Sequence, residues 1–273
     1  MKDITVVVPV HEINESIKKY LTNSIQSIAN QSVKPEKVCV VHADTKELNE
    51  FFNSWEKPTD LNVNILANKN KTDFCSQINH AVNSIETEWF SVLEVDDEYS
   101  KNWFKNVEKY VESYDDVDIF LPLVVDVDSE QSFLGFTNES IWAMKFSEKM
   151  GELDNNTLLN YQNYQTSGAV VRKESFESIG MLKPSMRLTF VYEFLLRATY
   201  NDLRIMTIPR IGYKHMNMRE NSLFWDYKNS PQTKLTNEEA GFWVEQAKKE
   251  YFFTYDRDIE YEHKMRMSGI TNT

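Results

Sequence analysis

Four carboxylates fall within positions 94–98 of the stretch "FSVLEVDDEY", residues 90–99. Phe90, Val92, Leu93 and Val95 are residues of a buried strand, yet Glu94, Asp96, Asp97 and then Glu98 crowd its exit. Like charges packed this closely repel, and taking them out of water is costly. A divalent cation between them removes the conflict, and hard Mg²⁺ or Mn²⁺ prefers oxygen ligands of this kind. If the strand runs to residue 95, alternation sends Glu94 and Asp96 to one side and turns Asp97 into the loop. The plainer alternative is a solvated acidic turn capping a helix that begins near Ser100. The buried strand in front of it favours the cation.

Two absences sharpen that reading. The first glycine of the 273-residue chain is Gly135 and the first arginine is Arg172. A dinucleotide-binding G-x-G-x-x-G or a phosphate loop needs early glycines, so neither is present. A phosphate held by the first half must be reached through something else, and a metal ion serves. The formal charge of -12 argues against binding nucleic acid by neutralising its phosphates. Cys39 and Cys75 offer neither a disulfide framework nor metal-ligand spacing. No leader-like start and no apolar run of about 18–20 residues is found. The expectation is a soluble cytoplasmic protein, or one peripheral to a membrane, with no integral membrane segment.

The elements that must position these acids follow from periodicity. Apolar strands are expected at 4–10, 37–43, 61–67, 89–95, 118–127 and 167–173. Amphipathic helices fall between them, carried by Ile17, Leu21, Ile25 and Ile28, by Phe74, Ile78 and Val82, and by Phe104, Val107 and Val111. Continuous apolar strands alternating with helices mean an α/β fold with a mostly parallel central sheet covered on both faces. Pro122 suggests an edge or a bulge, and Pro209 splits 204–216 into two short strands. The polar segment 128–165 reads as helices joined by loops. "TNEEAGFWVEQAKKEYFF" starts like a capped helix, with Thr236 as N-cap, and forms a helical tail. Ligands of such sheets lie at the carboxyl ends of the strands. There the sequence places Pro9, His11 and Glu12, then His42 and Asp44, then Glu94, Asp96 and Asp97.

The ordered motifs resemble family 2 glycosyltransferases. "ITVVVPVHEINESIKKYLTNSIQSIANQS" is similar to that family's opening strand and helix. "FCSQINHAVNSIETEWFSVLEVDDEYSKNW" is similar to its central block ending in L-D-x-D-D, and "SGAVVRKESFESIGMLKP" to its G-x-x-x-R-R-x-x-F-x-x-I-G-x-F element. The likeness spans roughly residues 4–222. It implies a GT-A fold and metal-dependent, inverting transfer of a sugar from a nucleoside-diphosphate donor (UDP-, GDP- or dTDP-linked). The acceptor would be a hydroxyl of a glycan, or of a lipid-linked or protein-linked acceptor. A catalytic domain would occupy 1–225, with a donor half 1–127 and an acceptor half 128–225, followed by the extension 226–273.

The resemblance also distributes roles. Pro9, His11, Glu12, Asp44 and Asn79 fall where the donor is held, with Asp96 and Arg219 at its diphosphate. Glu94, Asp96, Asp97 and His215 fall at a Mn²⁺ or Mg²⁺ site. Gly168 falls on the acceptor side; Trp142, which flanks the polar middle with Tyr161 and Tyr164, is read separately as a ring on which an acceptor sugar could stack, the alternative being core or loop packing. His11-Glu12 replaces the usual aromatic-Asn pair, Ala43 stands where an Asp is common, and Glu94 replaces the first Asp of the metal motif. The family's general base lies near the start of the helix after I-G-x-F. Its usual position here is Phe190 or Val191, so Glu193 is the available carboxylate. Its alternative is a structural i,i+4 pair with Arg197. A sugar-phosphate nucleotidyltransferase is excluded by the missing glycine-rich opening loop. A catalytically inactive sugar-nucleotide or glycan-binding module with the same fold is the remaining rival.

Overall fold

The structure is a computed structural model that describes residues 1, 3–69, 71–139, 151–217, 219, 237–257 and 259. Strands β1 (Ile4–Val10) and β2 (Lys37–Ala43) form where the apolar runs place them, and β3 spans Val63–Asn68. Helices α1 (Glu15–Ala29), α2 (Lys46–Ser54) and α3 (Phe74–Ser84) alternate with them. Each is started by a side chain that satisfies a free backbone N–H: Asn14, Thr45 and Asp73 accept from Ile17, Leu48 and Ser76. β4 is only Trp89–Val92 and is followed by the two-residue β5 (Glu98–Tyr99) and α4 (Trp103–Ser113).

β6 (Ile119–Val127), β9 (Val170–Arg172) and β10 (Ile205–Met216) complete the core of one mixed sheet, in the order β3-β2-β1-β4-β9-β6-β10-β5. The long pairings β1–β2, β2–β3 and β6–β10 are parallel, and the antiparallel ones are short. Alternation along β1 divides the core. Ile4, Val6, Val8 and Val10 pack towards α1, α2 and α4, while Val7 joins Cys39 and Val41 under α3.

Two expectations change and one is narrowed. Segment 204–216 is one strand, because Pro209 falls at a register shift instead of ending it. Pro122 lies inside the sheet, opposite Ile208 at that shift, so of the edge or bulge expected there it is the bulge that forms. There β6 changes partner from β9 to β7 (Phe133–Thr137), so the missing N–H costs no ladder bond. Described residues of 128–165 hold that hairpin strand, the short β8 (Glu152–Leu153) and only one short helix, α5 (Asn155–Asn160).

The C-terminal helix is no loose tail. After α6 (Lys173–Ser178) and α7 (Phe190–Tyr200), helix α8 (Asn237–Glu250) packs on α7 and buries Trp243 and Ala247 in the core. The chain beyond it runs so close to the turn after α6 that the Thr254 carbonyl occupies the space of a Cβ on Gly180, whose φ is +92°. Only glycine fits there. Thr236 and the expected boundary at 225/226 lie outside the described residues.

Candidate active site

A cavity of about 980 Å³ opens at the carboxyl ends of β1 and β4. Pro9 lines it near the end of β1, His11 and Glu12 just past that strand, and Glu94 and Asp96 past β4. His11 Nδ1 lies 3.0 Å from the Thr72 carbonyl and 2.8 Å from Gln77 Nε2. Asp44 is exposed at the end of β2, where its carboxylate accepts from Asn49 at 2.6 Å, and it does not line the cavity.

The acids sit in a turn rather than a strand. Asp97 N–H donates to the Glu94 carbonyl at 3.1 Å, and the Glu94 N–H donates to the Tyr213 hydroxyl at 3.0 Å. β5 then pairs antiparallel with Tyr213 and Lys214 of β10, which draws the end of β10 against the turn. That pairing is what brings His215 to residues more than a hundred positions earlier. The Met216 N–H donates to Asp97 Oδ1 at 2.7 Å, and Arg219 Nε contacts Asp96 Oδ2 at 2.5 Å. Glu94 Oε1 accepts from Ser167 at 3.0 Å.

Asp97 is buried and its Oδ2 has no hydrogen-bond partner among the described residues. Burial drives its pKa well above the carboxylate range and raises that of Glu94, with neighbouring carboxylates adding to both. His215 responds in the opposite sense. Burial disfavours its charge, but the hydrogen bond to Asp126 and the nearby Asp97 and Glu94 outweigh that and lift it to about 10. These are the shifts of a site short of positive charge.

Asp126 is the residue that sequence reasoning missed. It lies near the end of β6, and its Oδ1 is 2.8 Å from His215 Nδ1 while Oδ2 accepts from Thr137 at 2.6 Å. A carboxylate on Nδ1 orients the imidazole and leaves Nε2 for a ligand. The only signal in sequence was an acid inside "LVVDV", and nothing there names its partner.

The residues fit a divalent cation of one kind. Among the described residues no cluster of three or more His, Cys, Asp or Glu could enclose an ion. Asp96 and His215 both face the cavity, with Asp97 behind them. Such an open set suits Mg²⁺ or Mn²⁺, which takes one or two carboxylates and completes its shell with water and substrate phosphates.

Three more of the expected site residues do not line the cavity. Glu193 is fully buried on α7 and does not line the cavity. Its Oε1 lies 2.8 Å from Lys183 Nζ and 2.8 Å from Arg197 Nε, and Oε2 accepts from Arg197 Nη2 at 3.0 Å. A carboxylate spent on two cations and closed to solvent cannot meet an acceptor hydroxyl. Asn79 is equally committed, its amide donating to and accepting from the Leu182 backbone at 2.8 and 3.1 Å. Gly168 is a packing glycine: at φ +73° it lets Tyr213 approach to where a Cβ would be 2.3 Å from its ring. Its neighbours Ser167 and Ala169 line the cavity instead. Trp142 lies outside the described residues.

A model of glycosyl transferase family 2 matches residues 5–180. The chain belongs to that family. It is therefore a glycosyltransferase, and the match takes in both the β1 end and the acidic turn. Solved structures that share the fold include S. aureus TarS 1–349 in complex with UDP-GlcNAc. That protein is 15% identical with a TM-score of 0.60, over 97% of this chain and 77% of that one. The same fragment in complex with UDP is 16% identical, TM-score 0.58, over 92% and 70%. The mannosyltransferase PcManGT from Pyrobaculum calidifontis, in complex with GDP-Man and Mn²⁺, is 16% identical, TM-score 0.59, over 83% and 60%. No curated protein sequence matches this transferase. At these identities the structural likeness speaks for the fold, which is GT-A. No described helix is long and apolar enough to cross a membrane.

Proposed function

We propose that this transferase moves a sugar from a nucleoside-diphosphate donor to an acceptor by a single inverting displacement assisted by Mn²⁺ or Mg²⁺. The observation that carries the reading is Asp97 Oδ2, buried and unpartnered behind two cavity-facing groups that can ligate a cation. Asp96 and His215 would hold the metal, which when bound supplies Lewis-acid stabilisation of the leaving diphosphate. Complexes of structural neighbours with UDP-GlcNAc and with GDP-Man and Mn²⁺ support the same donor chemistry here.

The chain's own groups divide the remaining work. Asp126 holds His215 in the orientation that presents Nε2. Pro9, His11 and Glu12 border the donor, with Asp44 beyond them on the same rim. Arg219, paired with Asp96, is placed to turn to the diphosphate as the donor arrives. With Glu193 withdrawn into the core, the acceptor proton must leave through a carboxylate on the cavity. Our candidate is Glu94, whose burial raises its proton affinity towards that of a working base.

The test is binding and transfer measured separately. With ligand at a hundred times Kd, UDP or GDP with Mn²⁺ should stabilise the parent by about 2.7 kcal/mol. Asp96→Ala should abolish that gain, and Glu94→Gln should keep it while sugar transfer is lost. Nucleotide stabilisation that is independent of metal, or undiminished in Asp96→Ala, would refute the metal assignment. Transfer at the parent rate by Glu94→Gln would refute the base.

A further inference from the structure

The cavity is two-sided. Its mouth carries Glu12, Glu94, Asp96, His215 and Arg219, but its far wall is hydrocarbon. Val92, Val171, Phe176, Phe190, Phe194 and Trp243 line that chamber, contributed by β4, β9, α6, α7 and α8. The chamber extends the site away from the β1 and β2 rim where the nucleoside belongs. Most of its helical wall comes from the second half and the C-terminal segment, and α3 adds Phe74, which meets Phe190 at 5.5 Å between ring centroids. Phe190 and Val191 stand at the start of α7, so the chamber begins where a sugar acceptor would otherwise meet a carboxylate.

A sugar pushed against such a wall would leave its hydroxyls without partners, which is strongly disfavoured. Among the described residues, partners for hydroxyls gather mainly along one side, in the segment holding Gln165, Thr166 and Ser167 near Glu94, with Gln162, Thr189 and Asp73 elsewhere on the lining. Gln165 Nε2 is buried there without a partner among the described residues, a donor left over for a ligand oxygen. The cavity's 980 Å³ takes in the charged mouth and the apolar chamber together, room for more than one sugar ring.

We propose that the acceptor carries an apolar aglycone, an alkyl or aryl group, and that this chamber binds it while the hydroxylated head lies against Gln165, Ser167 and Glu94. The inference rests on the transferase reading above and adds the acceptor class to it.

The experiment uses the full chain with Mn²⁺ and UDP or GDP. Methyl, n-octyl and p-nitrophenyl glycosides of one sugar are titrated calorimetrically, the octyl compound below its micelle concentration. Burying several methylenes or a ring should make the octyl or nitrophenyl glycoside bind at least about tenfold tighter than the methyl one. Which of the two gains more separates lipid-like from aromatic aglycones. Val191→Trp, which fills the chamber, should erase the advantage while nucleotide affinity stays within about twofold. Ala169→Leu provides a second filling should the first fail to fold. Equal binding of all three glycosides, no binding of any, or an advantage that survives chamber filling would overturn the proposal. Nucleotide binding, read on the same samples, reports on the donor site independently: its loss with the aglycone preference intact would instead sink the transferase reading.

Discussion

Two charge clusters built from the same ingredients end in opposite states. Around Glu193, one carboxylate meets two cations, and every partner is supplied by the chain. Lys183 also donates to the Glu250 carbonyl at 2.8 Å, and Arg197 to the carbonyls of Ile179 and Met181, so the cluster ties α8 and the turn after α6 to α7. At the acidic turn, four carboxylates, Asp126 included, face one histidine and one arginine, and an oxygen of Asp97 is left over. The first cluster is a closed strut. The second has a deficit of positive charge beside a cavity. The difference is a count of partners rather than a difference in residue types, and it separates a structural ion pair from a ligand site.

Breaking the strut should have the largest effect. Glu193→Gln leaves Lys183 and Arg197 buried without their counter-charge and should lower unfolding free energy by about 3–5 kcal/mol in urea denaturation. Loss of transfer at unchanged stability would mean that Glu193 acts chemically after all.

The pH dependence of metal stabilisation sharpens the other side. Glu94 and Asp97 have raised pKa values, so what they contribute to apo stability is present below the ordinary carboxylate range and lost as pH rises through the raised values. His215, lifted to about 10, contributes below the ordinary histidine value and loses it as pH climbs towards 10. Apo stability should therefore fall from pH 5 to 8. The gain from Mn²⁺ should grow by up to roughly 1.4 kcal/mol per pH unit for each proton displaced. A gain that is flat across this range in thermal melts would remove proton–metal competition from the account.

Asp97→Asn is a smaller change of opposite sign to the first. It keeps an acceptor for the Met216 N–H and removes the cost of ionising a buried acid, so at pH above the raised value the apo protein should be stabilised by about 1 kcal/mol. A destabilised apo variant would show that the negative charge is already balanced. Smallest of all is Lys214→Ala, which breaks a half-exposed pair with Glu98 at 2.7 Å and should cost no more than about 0.5 kcal/mol. A larger loss would mean that this pair, and not the β5–β10 ladder, holds the turn against β10.

Much of this was legible beforehand for a local reason. Strand runs such as "ITVVVPV" and "KVCVVHA" carry their burial in consecutive residues, and both form at the expected positions. The acids of "EVDD" announce an electrostatic problem in four letters. Glu193 and Arg197 were visible as an i,i+4 pair, because that spacing places them on one helix face whatever surrounds the helix.

What the sequence by itself determined was the order of layers, the rim of strand ends, and the presence of too many carboxylates in one place. Tertiary structure alone decided which charges are answered. Lys183 reaches Glu193, Asp126 reaches His215, and Met216 reaches Asp97 only because β10 lies between β6 and β5 and α7 folds back on the turn after α6. Charge balance in a low-dielectric interior depends on neighbours within a few ångströms, and those neighbours are set by packing rather than by position along the chain. The same holds for the apolar chamber, whose walls come from elements that no short stretch of sequence connects.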